Sequence, residues 1–213
     1  MKKYKLYLFD FDYTLVNSEE GIVKCFMLTL EKLGYKIPER EFICKTIGLP
    51  MRKAVSIVID TDNEQKVTDF IDVYKKFADK YMTAGTKFFP HTLEVLKKIR
   101  AQGAKCAIIS SKTRHRIEEK FSQTNTLSLI DKVFGCDDVS EFKPSPEGIN
   151  KAVELFAVAK SETLYAGDSY VDAGAAQNAG VDFVALTTGT TTKEEFLNYP
   201  HIKIIDDIGE LPD

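Results

Sequence analysis

The chain has 213 residues, of which 44% are apolar and 29% are charged, and its formal net charge is -3 at pH 7. This composition is typical of a globular protein with one hydrophobic core, or with a core and a smaller inserted domain. The slight negative charge argues against general nucleic-acid affinity, which requires a basic surface. No apolar run approaches the roughly 20 residues that a membrane helix requires, so we expect neither a nucleic-acid nor a membrane partner.

The N-terminal segment and the cysteines predict a cytoplasmic protein. The chain starts with a basic segment, but the apolar stretch after it is only about four residues long and ends at Asp10, unlike a signal peptide. Cys106 lies in an apolar run and is expected to be a small core residue. The cysteines lie far apart without a Cys-x-x-Cys pair, so metal-binding and redox spacings are absent: Cys25, Cys44, Cys106 and Cys136.

The first predicted strand ends in two carboxylates. Residues 7–9 form a short, aromatic-rich apolar run, which indicates a buried strand. Asp10 and Asp12 are two residues apart, so in extended backbone both side chains leave the same face. Two like charges this close repel each other, and burying them without compensation is costly. The pair therefore predicts a positive partner, and a metal ion with a phosphate site behind it is the best candidate.

Residues 17–87 predict a helical domain inserted after the first strand. Apolar residues recur at helical spacing over 19–33 and again over 64–82. The segment 45–55 between these two helices contains a glycine and a proline, which predict a loop.

From about residue 88, strand-like and helix-like segments alternate. The predicted helices are 91–102, 113–123, 146–157 and 170–179, and the predicted strands are 105–110, 133–135, 163–167 and 182–187. Repeated units of this kind predict an α/β core domain, formed by 1–16 and 88–213, with a Rossmann-like parallel sheet between helices. Ligands of such sheets lie beyond the carboxyl ends of the strands.

Chemically reactive side chains follow four of these strands or their adjacent loops. In a parallel sheet the carboxyl ends of the strands meet at one edge, so the side chains are expected to converge. Carboxylates, hydroxyls and lysines together suit phosphoryl transfer, where catalysis is mostly positioning and charge neutralisation. The four segments are Asp10-Phe11-Asp12-Tyr13-Thr14, Ser110-Ser111-Lys112, Lys143-Pro144-Ser145-Pro146 and Gly167-Asp168-Ser169-Tyr170-Val171-Asp172.

These four ordered motifs resemble the haloacid dehalogenase-like hydrolase superfamily, and within it the phosphoglycolate phosphatase-like members with a helical cap. The resemblance spans nearly the whole chain. It implies that Asp10 is a nucleophile that forms an aspartyl-phosphate and that Asp12 is the general acid/base. It also implies that Lys143 neutralises the charge on the nucleophile and the phosphoryl group. A carboxylate suits the first role because it attacks phosphorus without first losing a proton.

The same resemblance implies phosphate and metal ligands. Thr14 and Ser110 would bind nonbridging phosphate oxygens, and Ser111 and Lys112 would belong to the same phosphate-binding site. Asp168 would hold Mg²⁺ together with Asp10 and the backbone carbonyl of Asp12, and Asp172 would orient the metal's waters or Lys143. Mg²⁺ is a hard ion that prefers such oxygen ligands.

Two residues depart from the family pattern. Tyr13 stands where glycine is commonest in the first motif, and glycine relaxes backbone limits. Tyr13 is therefore expected to alter the flap that moves with the cap. Asn17 replaces a frequent acidic residue and is expected to change hinge contacts. Asn17 with Glu20 also looks like a capping box at the start of the first helix.

The leading hypothesis is a Mg²⁺-dependent phosphatase for a small phosphorylated metabolite. The alternatives are a β-phosphoglucomutase-like phosphomutase and a non-enzymatic phospho-acceptor switch, and phosphonatase chemistry through Lys24 or Lys53 stays open. Arg52 and Lys53 either bind a second anionic group of the substrate or face solvent. The particular substrate and the oligomeric state are left open.

Overall fold

The computed structural model describes residues 4–211. In this part of the chain the strands are β1 (Leu6–Phe9), β2 (Val16–Asn17), β3 (Lys87–Phe88), β4 (Lys105–Ile109), β5 (Lys132–Phe134), β6 (Thr163–Gly167), β7 (Asp182–Leu186) and β8 (Lys203–Ile205). The helices are α1 (Glu19–Leu33), α2 (Arg40–Cys44), α3 (Met51–Val58), α4 (Glu64–Tyr81), α5 (Thr92–Ala101), α6 (Arg114–Gln123), α7 (Glu147–Phe156), α8 (Tyr170–Ala179) and α9 (Lys193–Phe196). None of the helices within 4–211 is long and apolar enough to cross a membrane.

Six strands form one parallel sheet in the order β5-β4-β1-β6-β7-β8. The central strand β1 pairs with β4 on one side and with β6 on the other, so that Phe9 lies opposite both Ile108 and Ala166. This register brings the carboxyl ends of β1, β4 and β6 to the same edge of the sheet. The predicted α/β fold is confirmed.

Hydrophobic side chains of β1 alternate between the two faces of this sheet, as the two-residue period of a strand requires. Tyr7 and Phe9 belong to a core cluster with residues of α5 and α6, whereas Leu6 and Leu8 belong to a second cluster with residues of α7 and α8. All four side chains are almost completely buried. Because helices cover both faces of the sheet, every side chain of β1 is buried, which explains the uninterrupted apolar run in its sequence.

The described chain divides into two compact units, one containing residues up to Val16 and from Phe88 onward, the other containing Asn17–Lys87. The helical unit has its own core, in which the Phe26 ring lies 5.7 Å from the Phe70 ring and 5.0 Å from the Tyr74 ring, measured between centroids. These rings join α1 to α4.

Local structure in the helical unit agrees with expectation at one place and differs from it at another. The segment 45–55 includes the expected loop, and helix α3 begins within it at Met51. Pro50 occupies the N-cap of α3, where its missing N–H leaves no donor unsatisfied. The capping-box interpretation was wrong: Ser18 occupies the N-cap of α1, and the Asn17 side chain accepts the Glu19 N–H at 3.1 Å.

Candidate active site

Asp10 follows β1 and is almost completely buried. Its backbone N–H donates to the Ala166 carbonyl at 2.9 Å, which extends the pairing of β1 with β6 to this residue. Burial raises the pKa of the Asp10 carboxyl above its ordinary range, since Lys143 only partly opposes burial and Asp172 adds repulsion. A buried carboxylate in this environment is stabilised by any further positive charge that binds beside it.

Lys143 supplies one positive charge. Its Nζ donates to Asp10 Oδ1 at 2.8 Å and to Asp172 Oδ1 at 2.6 Å, and only 6% of its side chain is exposed. Burial alone would lower the pKa of Lys143, but the two carboxylates outweigh burial and hold the pKa above its ordinary value. Lys143 is therefore a cation fixed between two acidic residues.

Asp172 holds Lys143 from the other side. It lies in the first turn of α8, where it forms a capping box with Ser169. Its Oδ1 accepts from Lys143 and from the Tyr165 hydroxyl at 2.6 Å, and its Oδ2 accepts the Ser169 N–H and hydroxyl. The expected contact between Asp172 and Lys143 is thus present.

Tyr165 was missed in the sequence. It lies in the middle of β6, completely buried, and its hydroxyl contacts Asp172 at 2.6 Å and Lys143 at 3.3 Å. A tyrosine in the middle of a buried strand is itself a signal, because a buried hydroxyl needs a hydrogen-bond partner. The sequence cannot say which partner it finds.

Asp168 lies one residue beyond β6 and accepts a hydrogen bond from the Thr14 hydroxyl at 2.9 Å. Burial, Asp172 and Asp10 all raise its pKa. Backbone packs directly against it, since a Cβ added to Gly189 would lie 1.9 Å from Asp168 Oδ2. The Thr14 hydroxyl therefore donates to a carboxylate, and its expected hydrogen bond to phosphate stays a prediction.

Three carboxylates form a cluster that fits a divalent cation. Asp10, Asp168 and Asp172 are all buried and each offers an oxygen within 4.8 Å of the others. Oxygen donors of this kind suit a hard ion such as Mg²⁺, and a cation would relieve the repulsion that raises the pKa values of Asp10 and Asp168. The side chain of Asp12 is not a member of this cluster, and the ligand role of its backbone carbonyl stays a prediction.

Asp12 is paired with Lys112 instead. The Nζ of Lys112 lies 2.9 Å from Oδ1 and 2.8 Å from Oδ2 of the Asp12 carboxylate. Both side chains are largely buried, with 11% and 8% exposed. Lys112 was expected beside phosphate, so the ion pair with Asp12 is an additional contact that sequence reasoning did not anticipate.

Ser110 and Ser111 lie at the end of β4, as expected. The Ser110 N–H donates to the Phe134 carbonyl at 3.0 Å, and the Ser110 hydroxyl accepts the Lys112 N–H at 3.3 Å. Ser110 is buried and Ser111 is half-buried. Their contact with phosphate stays a prediction.

The remaining predicted ligand, Arg52, belongs to the helical unit. It lies in α3 and its guanidinium pairs with the Glu64 carboxylate of α4, with 52% of the arginine side chain exposed. This partner lies within the same unit, and binding of a substrate anion by Arg52 stays a prediction.

Tyr13 has a positive φ of 60°. Non-glycine residues rarely adopt this left-handed conformation, which explains why glycine suits the position. The tyrosine ring is buried and its carbonyl accepts a hydrogen bond from the Thr188 hydroxyl. Its effect on a moving flap stays a prediction.

The sequence pattern of haloacid dehalogenase-like hydrolases matches residues 7–186. The chain belongs to this family. It is therefore an enzyme, a hydrolase, and the resemblance seen in the four motifs is confirmed.

Named relatives and solved structures agree with this family. The chain is 31% identical over 180 residues to pyrophosphatase PpaX of Bacillus cereus (strain B4264), covering 84% of this chain and 82% of the relative. It is 28% identical over 204 residues to pyrophosphatase PpaX of Bacillus mycoides (strain KBAB4), covering 96% and 93%.

A crystal structure of a haloacid dehalogenase-like hydrolase from Bacteroides fragilis is 41% identical, with a TM-score of 0.94 over 99% of this chain and 100% of that one. A second structure, named "predicted phosphoglycolate phosphatase" from Haemophilus somnus 129PT, has a TM-score of 0.88 at 23% identity, over 97% and 96% of the two chains. At this identity the second likeness shows the fold alone.

Proposed function

We propose that this hydrolase is a Mg²⁺-dependent phosphatase that acts on a small phosphorylated compound through an aspartyl-phosphate. The observation that carries the proposal is the environment of Asp10, a buried carboxylate with the Lys143 ammonium at 2.8 Å and two further carboxylates within ion-binding distance. This arrangement combines a nucleophile with one cation and with ligands for a second, and positive charge of this kind is what a phosphoryl group requires.

In the first half of the reaction, an Asp10 oxygen attacks phosphorus. A bond forms between that oxygen and phosphorus, and the bond to the leaving oxygen breaks with its electron pair. Asp12 donates a proton to the leaving oxygen. Lys143 keeps the Asp10 carboxylate oriented and balances negative charge on the phosphoryl group.

In the second half, Asp12 accepts a proton from water, and the resulting hydroxide attacks the acyl phosphate to release phosphate and restore Asp10. Asp10, Asp168 and the Asp12 carbonyl would hold Mg²⁺, which supplies neutralising charge when bound. Asp172 and Tyr165 keep Lys143 in place throughout. Every residue here belongs to the same compact unit.

The names of the relatives suggest which substrates to test. Pyrophosphate is the substrate named for the PpaX proteins, and phosphoglycolate is the one named for the Haemophilus somnus structure. Both are small and anionic, which agrees with the small phosphorylated metabolite expected from the motifs. Cys106 and Cys136 are thiols, which supports the expected cytoplasmic location, where thiols stay reduced.

Phosphate release tests the proposal. The wild-type protein is incubated with pyrophosphate, phosphoglycolate and p-nitrophenyl phosphate, with Mg²⁺ or with EDTA. We expect Mg²⁺-dependent release that Asp10→Asn abolishes and that Asp72→Asn, an exposed aspartate of α4, leaves unchanged. Absence of release from every phosphate compound would refute the proposal. Transfer of phosphate between positions of a sugar phosphate, in place of release, would favour the phosphomutase.

A further inference from the structure

The Lys112 side chain is a second buried cation, separate from Lys143. Its Nζ contacts both oxygens of Asp12 at 2.8 and 2.9 Å, and only 11% of the lysine side chain is exposed. The proposed chemistry assigns Lys143 to the nucleophile and the phosphoryl group. It assigns no substrate contact to Lys112.

The backbone beneath Lys112 is tightly held. Its N–H donates to the Ser110 hydroxyl at 3.3 Å, and its carbonyl accepts the Cys136 N–H at 3.0 Å. A Cβ added to Gly135 would lie 2.8 Å from that carbonyl, so the neighbouring chain also packs closely. The Lys112 backbone is therefore held in place beside Asp12. This suits a side chain that must contact a ligand in a defined position.

The position of this cation relative to the substrate follows from Asp12. In the proposed reaction, Asp12 is the group that reaches the leaving oxygen. An ammonium within 2.8 Å of Asp12 consequently lies on the leaving-group side of phosphorus, whereas Lys143 lies on the side of Asp10. A buried cation placed there stabilises a leaving group that carries negative charge. It gives a neutral leaving group no comparable electrostatic stabilisation.

We propose that Lys112 selects substrates whose leaving group is itself an anion, such as the second phosphate of pyrophosphate or the carboxylate-bearing glycolate of phosphoglycolate. This inference rests on the proposed phosphatase function. In the free protein Asp12 neutralises Lys112. When substrate binds, the anionic fragment takes over this pairing. Asp12 then takes up a proton from solvent and passes it to the leaving oxygen as the phosphorus–oxygen bond breaks.

The wild-type protein provides the first test. Phosphoglycolate and 2-hydroxyethyl phosphate have similar size, but a carboxylate in the first is replaced by a neutral hydroxymethyl group in the second. We expect kcat/KM, measured with Mg²⁺, to be at least about 10-fold higher for phosphoglycolate or for pyrophosphate than for the neutral ester. Equal or better turnover of the neutral ester would overturn the inference and leave the phosphatase function standing.

Variants of Lys112 provide the second test. Lys112→Met keeps most of the side-chain volume and removes the charge, so the preference for anionic leaving groups should fall about 10-fold or more, while Lys112→Arg should retain most of it. Lys112→Gln serves if the methionine variant does not fold, and Lys97→Met, at an exposed position of α5, is the matched control. An equal decrease in kcat/KM for substrates with anionic and with neutral leaving groups would mean that Lys112 only positions Asp12. That result would refute selection of the leaving group by Lys112. A wild type inactive on all phosphate compounds would instead refute the phosphatase function, and the inference with it.

Discussion

Replacing Tyr165 with phenylalanine removes one hydroxyl from the centre of the acidic cluster. The hydroxyl donates to Asp172 Oδ1 at 2.6 Å, and Lys143 Nζ lies 3.3 Å from the same hydroxyl oxygen. Phenylalanine fits the same buried space, so no cavity larger than an oxygen atom is created. The substitution therefore isolates the hydrogen bond from the packing of the ring.

The magnitude follows from the number of donors that Asp172 keeps. A hydrogen bond to a charged group contributes about 1.5–3 kcal/mol. Asp172 still accepts from Lys143 and from Ser169 in the variant, so we expect a loss near 2 kcal/mol of unfolding free energy. For a chain of this size that corresponds to a decrease of about 4–8 °C in Tm.

Activity should fall as well, because Lys143 loses one of the contacts that orient it toward Asp10. We expect kcat to fall about 10-fold with KM changed much less, since orientation of the nucleophile matters most in the transition state. Thermal denaturation and steady-state phosphate release measure the two effects. Tyr170→Phe, at a half-exposed position of α8, is the control. Unchanged Tm and kcat in Tyr165→Phe would refute the reasoning that this hydroxyl orders the site.

Three further substitutions test the packing and the charges of the same unit. In Gly189→Ala the added Cβ would lie 1.9 Å from Asp168 Oδ2, so we expect Asp168 to be displaced. The affinity for Mg²⁺, measured by titrating activity with the ion, should fall at least about 10-fold, and an unchanged affinity would contradict this. Leu8→Ala removes a completely buried side chain from the central strand and should lower the free energy of unfolding, measured by urea denaturation, by about 2–5 kcal/mol. A smaller decrease would mean that the core collapses around the gap. The Asp207 hydrogen bond and charge raise the pKa of His91, and His91 in turn helps to lower the pKa of Asp207. The pair therefore stabilises the protein fully between about pH 4 and pH 6.5 and loses its effect as pH rises through the folded-state pKa of His91. The stability difference between wild type and His91→Asn should accordingly shrink from acidic to alkaline pH, and a difference independent of pH would count against the pair.

Local patterns in the sequence were sufficient for most of the fold. The helices α1, α8 and the strand β6 begin and end at the predicted residues, because period, glycine stops and apolar runs mark them clearly. Shorter elements such as β8 and α9 were not predicted, since three or four residues carry too little periodic signal. Membership of the hydrolase family was likewise evident from the order of four motifs.

Side-chain partners were decided by the tertiary structure. Lys112 and Asp12 are 100 residues apart in sequence, and Thr14 and Asp168 are 154 apart, so no local pattern reports that they meet. These contacts depend on the register of β1 against β4 and β6, which fixes the side chains that face each other across the carboxyl edge.

The sequence by itself determined which chemical groups this protein has at its strand ends, because motifs are local and their residue types can be read directly. Only the folded chain decided how those groups are paired. Asp10 shares Lys143 with Asp172, whereas Asp12 forms an ion pair with Lys112. The physical reason is that electrostatic pairing depends on distances of a few ångströms between residues that only the sheet register brings together.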